Sequence, residues 1–398
     1  MIDLKVACIG NMNNNMFNLV RYLRDFGVDA HLLLLDNETG HFLPENDCYN
    51  DSFREYTREL NWGDVYNLKH RESQDIRKSL EGYDFYIGCG TVPAYFEKAG
   101  INLDMMVPYG SDLYALPFYR LVHPKRMRQY FSFSRYQKKG LKRTKNILID
   151  SANELFEGAL KKVGFENNRI NSGIPMIYEP EYSIDNMPND KELFRFSEKL
   201  KEIRNNNKLV IFHHSRHVWV TKDDELAIKN NDNLIRGLAK AVHEDGLKDI
   251  HLVTLEYGVD VEHSKRLIRE LDLSDNITWL PTMSRKEIMR YISYADIVAG
   301  EFNHSWFSYG VVYEAMVMGK AIMHYRKDDL YVDEYPDPYP MLHAKTFEQI
   351  AQQLQFGYDN KNELEDIGLS ANAWFREHVV KKSIVLIVNS MNEKSGVS

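Results

Sequence analysis

Apolar and polar positions fall into alternating blocks along this chain of 398 residues. Short runs that are apolar almost throughout ("LKVACIG", "DAHLLLL", "YDFYIGC", "MMVPYG", "KNILID", "RINSGIP") are separated by stretches with helical spacing, such as Met16, Val20 and Leu23, and a helix over about 153–163. Apolar runs of this length without strict alternation predict strands buried on both faces, as in the parallel sheets of βαβ units. The rhythm breaks from Ser183 to Lys208, where "SIDNMPNDKELFRFSEKLKEIRNNNK" is polar and carries one charged helix. Such a stretch reads as a domain boundary. The alternation then restarts with "KLVIFHH", a helix at 233–244, "DIHLVTLEYG", a helix at 259–271, "NITWLP", a helix at 284–294, "ADIVAG", a helix carrying Glu314, and "KAIMHY". The pattern predicts an α/β protein built of two Rossmann-like, doubly wound domains. In such sheets ligands sit in the crevice beyond the strand C-termini.

Composition narrows this little. Hydrophobic content of 43% and charged content of 27% describe a globular chain, long enough for two cores. Three scattered cysteines, Cys8, Cys48 and Cys89, have no CxxC spacing and point to a reducing compartment. The N-terminus reads as a first strand rather than a signal peptide. No run reaches the ~18 continuous apolar residues of a membrane span.

Charge changes the picture more. The formal net charge is −8, yet no Asp or Glu occurs from Leu113 to Ile149. That window holds Arg120, Lys125, Arg126, Arg128, Arg135, Lys138, Lys139, Lys142, Arg143 and Lys145, interleaved with Phe118, Tyr119, Tyr130, Phe131, Phe133 and Tyr136. A basic, aromatic strip on an otherwise acidic chain suits an anionic surface or a lipid phosphate. A solvated helix face with its aromatics in the core reads equally from the same residues. Nucleic acid does not suit the overall charge.

A nicotinamide dehydrogenase would need G-x-G-x-x-G after the first strand. The loop here is "GNMNNNM", with Gly10 alone, although Asp29 and Asp36 stand where a ribose-binding acid could. No Gly-x-Ser-x-Gly suggests a hydrolase. His213, His214 and His217 cluster, but without the carboxylate or Cys company of a metal site, and His214 or His217 could touch a phosphate instead. Glu314 is the pointed question. It lies early in a helix whose first residues, Gly310 and Val311, would offer free amides and a positive dipole end to an anion. Its side chain leans back toward that end, where a ribose diol could meet it. An acid there also simply stabilises the helix dipole, by under ~1 kcal/mol, so its position alone leaves both roles open.

The segment "ITWLPTMSRKEIMRYISYADIVAGEFNHSWFSYGVVYEAMVMGKAIMHY" resembles the C-terminal half of GT-B glycosyltransferases of the family 4 type, through its "AD" strand and its G-x-x-x-E-A-M run. Upstream, "FHHSRHVWVTKDDELAIKNNDNLIRGLAKAV" resembles the arginine–lysine pair of that family, in the persons of Arg216 and Lys229, with Ser215 beside them. In the first half, "VPYGSDLYALPF" looks like its "HGSD" loop, with Tyr109 in place of His. The resemblance covers nearly the whole chain and is strongest over 209–326. It implies the GT-B fold, two Rossmann-like domains facing a central cleft: an acceptor-binding domain at 1–185, a linker at 186–207, a nucleotide-sugar domain at 208–375, and a C-terminal helix at 376–398 packed back on the first domain.

The activity implied is retaining transfer of a sugar from a nucleoside-diphosphate sugar, UDP-linked or GDP-mannose, to an acceptor hydroxyl on a lipid-linked or surface-polysaccharide glycan. The expected machinery is Arg216 and Lys229 on the diphosphate, the Gly310 and Val311 amides capping it, Glu314 on the ribose, and Glu301 on the sugar. Asp112 would serve the acceptor, Gly10 would open a loop near the transferred group, and Trp279–Leu280 would flank the base. The family's E-x7-E pattern is broken here, since Trp306 stands eight residues before Glu314. Exact Asp-x-Asp is absent, which fits transfer without a metal. The expected location is cytoplasmic, peripheral at the inner face of the membrane through the 120–145 strip. A non-catalytic GT-B-like scaffold and a nucleotide-sugar epimerase are the alternatives.

Overall fold

The structure, a computed structural model, describes residues 4–118, 124–149, 154–183 and 185–396. It divides into two compact units, one of residues 1–178 with 377–398 and the other of residues 179–376.

The first unit holds a seven-stranded sheet. Its strands are β1 (Lys5–Ile9), β2 (Asp29–Leu34), β3 (Thr57–Glu59), β4 (Phe85–Gly88), β5 (Met105–Met106), β6 (Asn146–Ile149) and β7 (Asn168–Asn171), in the order β3-β2-β1-β4-β5-β6-β7. All pairings are parallel. The second unit holds six parallel strands in the order β10-β9-β8-β11-β12-β13. These are β8 (Leu209–His213), β9 (Ile250–Leu255), β10 (Ile277–Leu280), β11 (Ile297–Ala299), β12 (Ala321–His324) and β13 (Leu342–His343). Both sheets are doubly wound, and strand order reverses between β1 and β4 in one and between β8 and β11 in the other.

The central strands are buried from end to end, β8 and β12 at every residue. Their apolar runs therefore do not alternate. Helices cover the sheets through apolar stripes. Helix Asn15–Asp25 buries Met16, Phe17, Leu19, Val20 and Leu23. Helix Arg285–Ile292 starts at a capping box in which Ser284 and Glu287 satisfy each other's end of the first turn. Helix Asn231–His243 comes so close to helix Phe347–Asp359 that a Cβ on Gly237 would stand 2.6 Å from Ile350 Cγ2.

One boundary differs from the sequence reading. Residues 186–207, read as a linker, belong to the second unit. Helix Ser197–Asn206 buries Leu200 and Ile203, Arg204 pairs with Asp296, and the Phe196 amide donates to Tyr291 Oη at 3.2 Å. The segment is polar because one face of a short surface helix is polar. Residues 377–398 belong with the first unit, where Lys394 pairs with Asp104 at 2.7 Å.

The basic strip begins outside the described residues, at Tyr119 and Arg120. Helix Arg135–Arg143 turns Gln137, Gly140 and Leu141 inward and leaves Arg135, Lys139, Lys142 and Arg143 exposed. Met127 and Phe131 are exposed with them, at 45% and 53%. Phe133 is wholly buried, so the aromatics of this strip divide between core and surface.

Candidate functional site

The reversal in the second sheet places the end of β8 beside the end of β11, His213 opposite Ala299. The loops leaving these two strands carry the chemistry. After β8 come His214, Ser215 and Arg216, and after β11 come Gly300 and Glu301.

The first loop is built around neutral histidines. Asn231 Nδ2 lies 3.2 Å from His213 Nε2, and His213 Nδ1 lies 3.0 Å from Thr254 Oγ1. Thr254 Oγ1 is also 3.0 Å from His217 Nε2, and His217 Nδ1 is 2.9 Å from Ser264 Oγ. An amide donates at the head of this chain, so each imidazole accepts on Nε2 and donates on Nδ1. Burial holds both rings neutral, His213 well below the usual histidine range and His217 down to about 4. Asp260 fastens the next turn. Its carboxylate accepts the amides of Trp219, Val220 and Thr221 at 2.7, 2.8 and 3.0 Å, and the Thr221 hydroxyl at 2.7 Å. Burial raises its carboxyl, but these four donors outweigh that and hold it at about 2.

Two buried ion pairs flank the crevice. Glu314, on helix Gly310–Val317, takes His214 Nε2 on one oxygen at 2.6 Å and Arg285 Nε on the other at 3.0 Å. Burial pushes its carboxyl up, but the two nitrogens outweigh it and hold the group at about 2. Glu301 pairs with Lys229 at 2.6 Å, both side chains being about nine-tenths buried. The backbone fixes this pair from several sides. The Glu301 amide donates to Tyr309 Oη at 2.7 Å, the Phe302 amide to the Lys229 carbonyl at 3.1 Å, and the Lys229 amide to the Val218 carbonyl at 2.7 Å. Gly300 has no side chain because a Cβ would collide with the Tyr309 hydroxyl.

Three polar atoms of these loops are buried with no partner among the described residues: His214 Nδ1, Ser215 Oγ and Glu301 Oε2. Folded proteins rarely leave such atoms unsatisfied, so each calls for a water, an ion or another group to complete its bonding. The helix that carries Glu314 begins here too. Its own ladder starts with the Val312 amide on the Tyr309 carbonyl at 2.9 Å, which leaves the Gly310 and Val311 amides ahead of it.

No family model matches this sequence, and no curated protein matches it. Solved structures do. A glycosyltransferase from Rickettsia africae superposes with a TM-score of 0.64 at 14% identity, covering 100% of both chains. HepE from Anabaena, in complex with UDP and glucose, gives 0.59 at 14% identity over 98% of this chain and 100% of its own. The UDP-GlcNAc 2-epimerase from Neisseria meningitidis, bound to UDP-GlcNAc, gives 0.57 at 11% identity over 98% and 100%. The fold is GT-B.

Within this GT-B chain the residues singled out by sequence separate into groups. Ser215, Lys229, Glu301, Gly310, Val311 and Glu314 meet around the β8/β11 reversal. Arg216 is exposed beside them and has no carboxylate partner among the described residues. Trp279 and Leu280 end the edge strand β10, where the Leu280 carbonyl accepts the Glu256 amide at 2.8 Å and the Trp279 ring lies 5.0 Å from that of His217. Arg285 and the pairing of His214 were not foreseen. Nothing in the local pattern of "TMSRKE" links Arg285 to a carboxylate 29 positions away.

In the first unit Gly10 closes β1 at a φ of +87°, where a Cβ would stand 2.8 Å from Cys89 Sγ. That conformation and that clash both require glycine. Asp112 is fully buried and accepts the amides of Gly90, Tyr109 and Gly110 at 3.0, 3.1 and 2.9 Å. A carboxyl so enclosed holds the loops of Gly90 and Tyr109–Gly110 together. Burial, only partly offset by these amides, pushes it up to about 7. Glu38, which takes the Leu35 and Asn11 amides, is likewise pushed up to about 7 by burial.

Proposed function

We propose that the protein is a glycosyltransferase that moves a sugar from a nucleoside-diphosphate sugar, a UDP-sugar before GDP-mannose, to an acceptor hydroxyl with retention of configuration. The observation that carries this reading is the set of unpartnered buried atoms on His214, Ser215 and Glu301, gathered beside a buried lysine and a helix N-terminus. Such a set offers donors to phosphate oxygens and one carboxylate oxygen to a hydroxyl. Lys229, Arg216 and the Gly310 and Val311 amides take the charge that grows on the diphosphate as the bond to the sugar breaks. This arrangement needs no divalent ion. Glu301 Oε2 accepts from a hydroxyl of the donor sugar, and Glu314 braces the ribose side. As the anomeric carbon leaves its phosphate oxygen and bonds to the acceptor oxygen, the acceptor proton passes to the departing phosphate.

The acceptor is a lipid-linked or surface glycan. In support, the exposed face of helix Arg135–Arg143 presents four cations beside Met127 and Phe131, and each basic residue near an anionic bilayer contributes ~1 kcal/mol. Among the described residues no helix is long and apolar enough to cross a membrane, so this face would bring the protein to the inner surface from the cytoplasm. Equal sedimentation with neutral and anionic vesicles at low salt would remove the membrane from this proposal.

The test of the activity is thermal unfolding with UDP, GDP, UDP-glucose and GDP-mannose, followed by an assay of nucleotide release with glycan acceptors. A nucleotide at a hundredfold excess over Kd stabilises by about 2.7 kcal/mol. Arg216→Ala, at an exposed position, leaves the free protein unchanged and reduces that shift. No shift with any nucleotide would leave a GT-B scaffold that binds something else. The same fold serves an epimerase, so the assay also follows the donor sugar when no acceptor is present.

A further inference from the structure

The far end of the first sheet carries a second gathering of charge. Asp104, Lys145 and Asn167 stand just before β5, β6 and β7 begin, at the opposite end of the parallel strands from Gly10 and Gly90. An open cavity of about 710 Å³ lies there, the size of a small-molecule site. Three cations line it, Arg143, Lys145 and Lys394. Asp104 is the one carboxylate among the described lining residues and is 5% exposed. A single oxygen of it takes the Tyr86 amide at 2.9 Å and Lys394 Nζ at 2.7 Å. Arg143 meets Glu97 at 3.1 Å and Asn102 Oδ1 at 3.0 Å. Lys145 is exposed and has no carboxylate partner among the described residues. Its place is nonetheless fixed, its amide donating to the Leu103 carbonyl at 3.0 Å and its carbonyl accepting the Asn168 amide at 3.2 Å. Glu97 and Asp104 balance Arg143 and Lys394, and the charge of Lys145 is left over.

The amides of the wall are oriented by their own bonds. Asn167 Nδ2 donates to the carbonyls of Lys142 and Thr144 at 3.1 and 2.8 Å, which closes the end of helix Arg135–Arg143. Asn146 Nδ2 donates to the Asp104 carbonyl at 2.9 Å, so its oxygen takes Asn168 Nδ2 at 2.7 Å. Asn167 and Asn168 are left with their oxygens, which accept from hydroxyls. The cavity thus offers charged donors suited to phosphate oxygens and amide acceptors suited to hydroxyls. We propose that it binds the phosphate ester of a hydroxylated molecule, with Lys145 and Arg143 on the phosphate and the Asn167 and Asn168 oxygens on the hydroxyls. The headgroup of a phosphatidyl polyol and a free polyol phosphate share this chemistry. Arg143 also belongs to the exposed basic face of its helix, so face and cavity are continuous. No bond of the ligand is made or broken. The site does not depend on the nucleotide-sugar reading, and either can fail alone.

The test is titration of the full chain with glycerol phosphate, with glycerol as the uncharged control, and with vesicles of phosphatidylcholine alone or with phosphatidylglycerol. Two variants at exposed positions separate the cavity from general attraction. Lys145→Ala lies in it, and Lys139→Ala lies on the basic helix face outside it. With glycerol phosphate, Lys145→Ala should lose about tenfold in affinity and Lys139→Ala less than about twofold. Lys145→Arg, which keeps a charged donor, should bind nearly as the wild type does. With anionic vesicles both alanine variants lose the attraction of one cation, so the site shows as a several-fold further loss in Lys145→Ala. The pattern with glycerol phosphate assigns a free polyol phosphate, and the pattern with anionic vesicles alone assigns a headgroup. Equal losses in the two variants, no binding of either probe, or glycerol phosphate displaced competitively by UDP-glucose would overturn the proposal. Failure of UDP-glucose to bind would sink the nucleotide reading and leave this cavity untouched.

Discussion

Asp112 and Glu314 are both carboxylates closed off from water at the ends of parallel strands, one in each unit, and they end at opposite extremes. Asp112 is pushed up to about 7, and Glu314 is held at about 2. Their depth is alike, at 0% and 6% exposed. What differs is the company. Asp112 has three neutral amides, and Glu314 has a guanidinium and an imidazole. Amide dipoles do not repay the loss of hydration here, whereas formal charge on the partner does. The difference separates a carboxyl that fastens backbone from one that keeps its charge through charged partners.

The contrast can be broken most severely at Glu314. Glu314→Gln removes the carboxylate charge that Arg285 and His214 face. It should lower the unfolding free energy of the second unit by roughly 3 kcal/mol in urea titrations. Asp112→Ala strands three amides and should cost roughly 2–3 kcal/mol in the first unit. Asp112→Asn, which keeps one accepting oxygen and no charge, should cost at most about 1 kcal/mol. If it costs as much as Glu314→Gln, Asp112 is ionised in the fold and the two sites are alike after all.

The pH dependence should divide the units. Asp112 and Glu38, raised in the folded state, contribute stability that is complete below the ordinary carboxyl range and is lost as pH rises through about 7. Glu314 and Asp260, lowered in the folded state, contribute stability present above the ordinary range and lost as pH falls toward about 2. Amide hydrogen exchange resolved by peptide should therefore show the first unit loosening from about pH 4 to 7 and the second from about pH 4 to 2. The smallest effect belongs to Gly310→Ala. A Cβ there meets nothing within 4 Å, so the free protein should change by no more than ~0.5 kcal/mol. Nucleotide affinity should still drop severalfold, since the added methyl stands where a phosphate would approach.

Strands buried on both faces write themselves into the sequence as unbroken apolar runs, and these were read in place from "LKVACIG" to "KAIMHY". β3 and β13 were not, because three and two residues at a sheet edge are too few to show a pattern. Of the site, Lys229, Glu301 and Glu314 were visible through motif resemblance. Which cation faces which carboxylate was not. Arg285 reaches Glu314, and Lys229 reaches Glu301, only once the sheet has brought distant loops together. Asp112 shows the converse, since the "GSD" spacing marks a loop but says nothing of how deeply its carboxyl is enclosed.

The turn fastened by Asp260 has one more consequence. His213 is pinned at the end of β8 and the His217 amide to the Tyr257 carbonyl at 2.7 Å, so the stretch carrying His214, Ser215 and Arg216 spans only three residues between anchors. A tether so short has little conformational entropy to lose. A ligand arriving there meets a surface already set, and its association would proceed without a wait for the loop to order.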